Sequence, residues 1–254
     1  MSDTKPNITV DVDVTNPGQF FACCGLLELA DRLRPGAEGW FENGQFQLGF
    51  VDGQVVSVSE LLDEVLSCSV ESVPGPDLKT TPIYLGGRIK IQLDWWLRPD
   101  GKTNLFKTWA ANANSRQMFC KWHDPLKGKM NIVASNTQGL LSLSERVQGS
   151  YGFDSDLGWD ALSVGFSFNE HADLKNLPTR PAVELLGAIG LQRFFPVFKE
   201  KEQVVEYATW HIRLGAPVAR VAALGRFPEA VMHKLRTRFV YRGRFKGLDR
   251  ATII

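Results

Sequence analysis

The sequence predicts an α+β protein in which short strands and helices alternate. Three observations carry that expectation: apolar/polar alternation over strand-length runs, apolar residues spaced three and four apart between them, and turn residues at the junctions. With 44% hydrophobic and 22% charged residues in 254, the chain has enough apolar surface to offset its ordering entropy, which excludes a disordered class. At this length one large domain or two smaller ones fit equally well.

Ile8 to Val14 (ITVDVDV) alternates as a half-buried strand does. Asn16-Pro17-Gly18 breaks it, and Pro17 suits the first turn of a helix. Phe21, Cys24, Leu27 and Ala30 carry helical spacing through Leu33, and Pro35-Gly36 ends the run. Asn43-Gly44 between Trp40-Phe41 and Phe46 to Phe50 is the strongest short hairpin signal in the chain. Ser57, with Ser59 as an alternative cap, precedes the apolar set Leu61, Leu62, Val65 and Leu66, predicting a second helix. A Pro/Gly-rich loop over 73–87 leads to the alternating run Arg88 to Trp95.

Strand, helix, strand, strand, helix, strand is the ferredoxin-like order, shared with RNA-recognition (RRM) modules, and it is assigned here to residues 1–98. Residues 99–254 read as an elaborated, basic α+β half, or as a continuation of one domain. There a helix is expected from Thr103 to Lys121, a strand from Leu162 to Phe168 after a Gly/Asp-rich loop, and a helix opened by Pro181. A strand at Val204 to Ile212, an apolar run at Pro217 to Leu224 and a basic aromatic strand at Arg236 to Phe245 complete the reading.

The net charge of +1 hides an asymmetry: residues 1–100 carry −8 and residues 101–254 carry +9. In the expected helix, Lys107, Asn114 and Lys121 are seven apart, with Asn112 and Arg116 on another side. Such donors can grip phosphates and read base edges, although an ordinary basic helix face has the same composition. If extended, the C-terminal run places Arg236, Arg238, Arg242, Arg244 and Lys246 on one face. Five like charges must be solvated or meet an anion, and Gly243 and Gly247 permit close backbone approach.

Catalytic constellations are not found. His123-Asp124 is a dipeptide that metal phosphohydrolases use, but no further histidine has ligand spacing. Asp154, Asp156 and Asp160 lack the register of a calcium loop, and turn chemistry accounts for them. The cysteines at 23, 24, 68 and 120 lack CxxC spacing and read as reduced thiols, mostly buried, in a cytoplasmic protein. Neither a secretory signal nor an 18-residue apolar span occurs, so membrane association is not expected. Cofactors and resident metals are not expected either.

Four segments together resemble a known family. They are NPGQFFACCGLLELADRL (16–33), LDWW (93–96) with LFKTWA (105–110), YGFDSDLGWDALSVGFSF (151–168) and RPAVELLGAIGLQRFFP (180–196). In order and character they are similar to a CRISPR-associated family of type I-U (I-G) systems. The likeness spans residue 8 to about 245. Where that family follows Lys-Thr-Trp-Ala with Gly and glutamines, this chain has Ala111-Asn112-Ala113-Asn114.

The resemblance implies a large-subunit-like or RAMP-like, non-catalytic subunit of a Cascade-like effector complex in antiviral defence. Its partners would be other CRISPR effector subunits, guide RNA and target DNA. In such complexes base pairing reads sequence, while protein subunits hold backbones. Two alternatives stay open: an adaptor whose basic faces dock acidic subunits without touching nucleic acid, and a metal-dependent nuclease using His123 and Asp124.

Overall fold

The computed structural model describes residues 6–51, 56–75, 77, 79–109, 113–146, 150–156, 178–242 and 245–254. Strand β1 (Ile8–Asp11) runs into helix α1 (Pro17–Leu33), then β2 (Ala37–Glu42) and β3 (Gln45–Phe50). Asn16 caps α1, its side-chain oxygen accepting from the Gly18 and Gln19 N–H groups, with Pro17 filling the first turn. Asn43 and Gly44 both have positive φ (50° and 75°), as a two-residue hairpin loop requires. Strand β3 lies between β1 and β2, antiparallel to both. The result is a split βαβ unit, with β3 between β1 and β2.

Helix α2 (Val58–Ser67) opens with a capping box in which Ser57 and Glu60 satisfy each other's backbone N–H groups. The run expected to be the fourth strand of the first sheet goes elsewhere. As β6 (Ile91–Leu93) it pairs with β5 (Ile83–Leu85), which pairs with β4 (Val70–Ser72), in a separate three-stranded sheet.

The helix expected over 103–121 starts twelve residues later, as α3 (Ser115–Lys127). Local hydrogen bonding explains the shift. Arg98 N–H bonds Lys102 O around Gly101 at φ 77°, and Thr103 bridges Leu97. The Asn104 side chain takes the Phe106 N–H and donates to Trp95 O, competing with helical pairing. Asn114, boxed with Gln117, caps the helix that does form. Helix α4 (Met130–Ser135) and the short pair β7 (Glu145–Arg146) and β8 (Pro178–Thr179) follow. The expected strand Leu162 to Phe168 lies outside the described residues.

Helix α5 (Pro181–Arg193) opens at Pro181 as expected. After it, β9 (Val197–Lys199) and β10 (Val204–Trp210) form a hairpin, β11 (Leu214–Gly215) pairs with β2, and α6 (Ala216–Ala223) takes the apolar run. Strand β12 (Val231–Arg242) pairs with β10 and reverses into β13 (Phe245–Leu248), and β14 (Thr252–Ile253) adds to its near end.

The centre of the molecule is the contact of α1 with α5. Gly187 approaches Gly18, Gly190 approaches Gly25, and Arg193 pairs with Glu28 and Asp31, so the helices run parallel. A methyl at Gly25 would sit 2.0 Å from Leu186 O, and one at Gly190 would sit 2.1 Å from Phe21 O. These two glycines therefore set the interaxial distance. Parallel helices bring two positive dipole ends together, and Asp154 sits between them. It accepts from Asn16 Nδ2 at 2.7 Å and from Arg180 at 3.2 Å. On one side of this axis pack Phe20, Phe41, Tyr207 and Trp210. Trp95, Trp96, Trp109, Trp122, Tyr151 and Phe153 form a second buried aromatic cluster.

Candidate functional site

Strand β12 sorts its side chains by parity. Leu235, Thr237 and Phe239 are buried, while Lys234, Arg236 and Arg238 face solvent. Glu206 of β10 lies opposite Arg236 and accepts from it at 2.7 Å and from Lys199 at 3.0 Å. Burial pushes the Glu206 carboxyl up, but the hydrogen bonds from Lys199 and Arg236 outweigh it and hold the carboxyl below its usual range. Among the described residues no carboxylate pairs with Lys234 or Arg238. The row is thus basic, exposed and only partly neutralised.

Two corrections apply to the single C-terminal stripe expected from the sequence. The chain reverses between Arg242 and Phe245, so 236–246 belongs to two paired strands of a hairpin rather than to one strand. Cross-strand partners share a face, and Lys246 pairs with Tyr241. Lys246 therefore joins Phe239 and Tyr241 on the face opposite Arg236 and Arg238. The side chains of Arg242 and Arg244 lie outside the described residues.

The reversal brings Lys246 to Lys107, a residue 139 positions away. Lys246 Nζ donates to Lys107 O at 3.1 Å and sits 5.5 Å from the Phe239 ring centre. Lys107 Nζ donates to Trp109 O at 2.6 Å and lies 5.3 Å from the Trp109 ring centre. Burial first, and the Lys107 charge second, push the Lys246 ammonium down to about 8. Burial also lowers Lys107, assisted by Lys79 and opposed by Asp77.

The other members of the expected helix track are dispersed. Lys107 lies in the loop before α3, so its seven-residue spacing to Asn114 and Lys121 aligns nothing. Asn112 lies outside the described residues. Asn114 uses its side-chain oxygen to cap α3, accepting from Gln117 N–H at 2.8 Å. Arg116 is exposed and donates to Val70 O at 2.7 Å, tying α3 to β4. Lys121 is half-buried on α3.

His123 and Asp124 touch each other at 3.2 Å, with Asp124 exposed, and the described residues contain no group of three metal-ligating side chains. Arg180 bridges Asp154 and Asp156, and Asp160 is not among the described residues. Cys23 and Cys24 are fully buried in α1, where desolvation pushes both thiols well up.

Sequence reasoning passed over two features. Lys234 shares the parity of Arg236 and was legible on that ground. Glu184 is a fully buried carboxyl on α5, held by Ser150 Oγ at 2.6 Å and Tyr151 N–H at 2.8 Å. A lone Glu within the apolar run Pro181 to Leu191 was its signal. No helix among the described residues is long and apolar enough to cross a membrane. No protein-family model, curated protein or solved structure matches the chain.

Proposed function

We propose that this chain is a non-catalytic subunit of a CRISPR type I-U (I-G) effector complex in antiviral defence, contacting the phosphate backbone of guide RNA or target DNA. The observation that carries the reading is the exposed row Lys234, Arg236 and Arg238 on β12, for which Glu206 is the one paired carboxylate among the described residues. Cations projecting at strand spacing from a rigid sheet suit a polyanion whose charges recur along its length. The split βαβ unit of β1, α1, β2 and β3 supports the ferredoxin-like, RAMP-like reading of the first half.

Expressing the tagged protein with its neighbouring genes and recovering bound nucleic acid tests the proposal. A guide-length RNA of uniform size, crosslinked to β12 or to 105–121, is the expected result. Recovery of the chain without RNA or partners refutes it. The adaptor reading is favoured by a different feature, the exposed Val218 and Val221 on α6. It predicts a stable complex containing RNA but no crosslink to this chain.

A further inference from the structure

We propose that Lys107 and Lys246 form the two walls of an anion site that takes one phosphate group, carried by a nucleic-acid backbone or free as inorganic phosphate. The identity of the carrier rests on the function proposed above, whereas the site itself rests on charge and geometry alone. An ammonium has three N–H donors, and each lysine directs one to a backbone carbonyl, Lys246 to Lys107 O and Lys107 to Trp109 O. That leaves donors on both. The acid whose charge acts on Lys107 is Asp77, whose two oxygens are engaged by Lys79 N–H and Thr80 Oγ1 in their own turn. Lys79 adds a third positive charge beside Lys107.

The Lys107 charge acts on Lys246, the rings of Trp109 and Phe239 flank the two half-shielded ammonium groups, and among the described residues neither group is in a salt bridge, so a bound anion would supply a direct counter-charge. A tetrahedral phosphate offers separate oxygens to both donors at once. Burial lowers both lysines, and for Lys246 the Lys107 charge adds to it.

Competitive acylation of the intact protein at pH 7.5, read lysine by lysine by mass spectrometry, tests this. The probes are pyrophosphate and a short single-stranded RNA. Without them, Lys246 is expected to react at least about tenfold faster than exposed lysines such as Lys234, because a larger fraction of its amine is free. Lys107→Gln is expected to slow Lys246, since removing the neighbouring charge lets it hold its proton. Pyrophosphate is expected to protect Lys107 and Lys246 about tenfold and to leave Lys234 unchanged.

RNA protecting Lys107, Lys246 and Lys234 together supports the site with a backbone phosphate as ligand. Pyrophosphate protecting the pair while RNA protects nothing supports the site with free phosphate and removes the nucleic-acid reading. RNA protecting Lys234 but neither probe protecting the pair overturns the site and leaves that reading standing. Labelling indifferent to both probes overturns the site.

Discussion

Glu184 should make the stability of this protein fall as the solution becomes more alkaline. Its carboxyl is fully buried on α5, and burial, reinforced by the nearby Asp154 carboxylate, pushes it from 4.5 up to about 7. The hydrogen bonds from Ser150 and Tyr151 favour the charged form but do not offset the desolvation. A carboxyl whose proton is held more tightly in the fold than in the unfolded chain contributes stability below pH 4.5. That contribution is lost as the pH rises through 7. A displacement from 4.5 to about 7 corresponds to about 3 kcal/mol, of which about 2–3 kcal/mol falls between pH 5 and pH 8. Asp154, also raised by burial, acts in the same direction despite its contact with Arg180.

Glu184→Gln removes this dependence and keeps the packing. The amide oxygen can take the Tyr151 N–H, and the amide NH2 can donate to Ser150 Oγ. Urea titrations followed by the fluorescence of the seven tryptophans, at pH 5 and pH 8, measure the difference. The wild type is expected to lose about 2–3 kcal/mol more than the variant over that interval. Parallel pH profiles for the two proteins would refute the reasoning and show that Glu184 is ionised in the fold at neutral pH.

Gly25→Ala is expected to abolish cooperative folding or to cost more than about 4 kcal/mol, because the new methyl meets Leu186 O at 2.0 Å; circular dichroism melting reads it. Ser57→Ala breaks the capping box of α2 and is expected to cost about 1 kcal/mol in the same assay. Lys234→Ala with Arg238→Ala is expected to lower the log–log salt slope of RNA binding by about 2 while leaving the melting temperature within a few degrees. An unchanged slope would remove β12 from the interface.

Local elements were legible because their causes are local. The Asn43-Gly44 hairpin, the Ser57 cap, Pro17 and Pro181 at helix starts and the even parity of Arg236 and Arg238 each depend on a few adjacent residues. The helix over 103–121 failed on a competition that spacing does not reveal. Asn104 and Gly101 satisfy the backbone in a loop anchored by Trp96 on Thr80 O and by Trp109 on Lys79 O. The run 88–95 has the alternation of a strand, but alternation does not say which strand it will pair with, and β5 took it.

The candidate site divides the same way. Its residue types and its basic character were plain in the sequence, because charge is a property of composition. The reversal after Arg242 turned Lys246 away from Arg236 and Arg238 and toward Lys107, since a hairpin's register determines which face each partner occupies. By itself the sequence determined the elements whose turns and caps are encoded within a few residues, and the surplus of cations in the second half. Only the tertiary structure decided which cations meet, and which carboxyl, Glu184, was buried far enough to hold its proton near neutrality. Both are properties of distance and desolvation, which arise when segments far apart in the chain pack together.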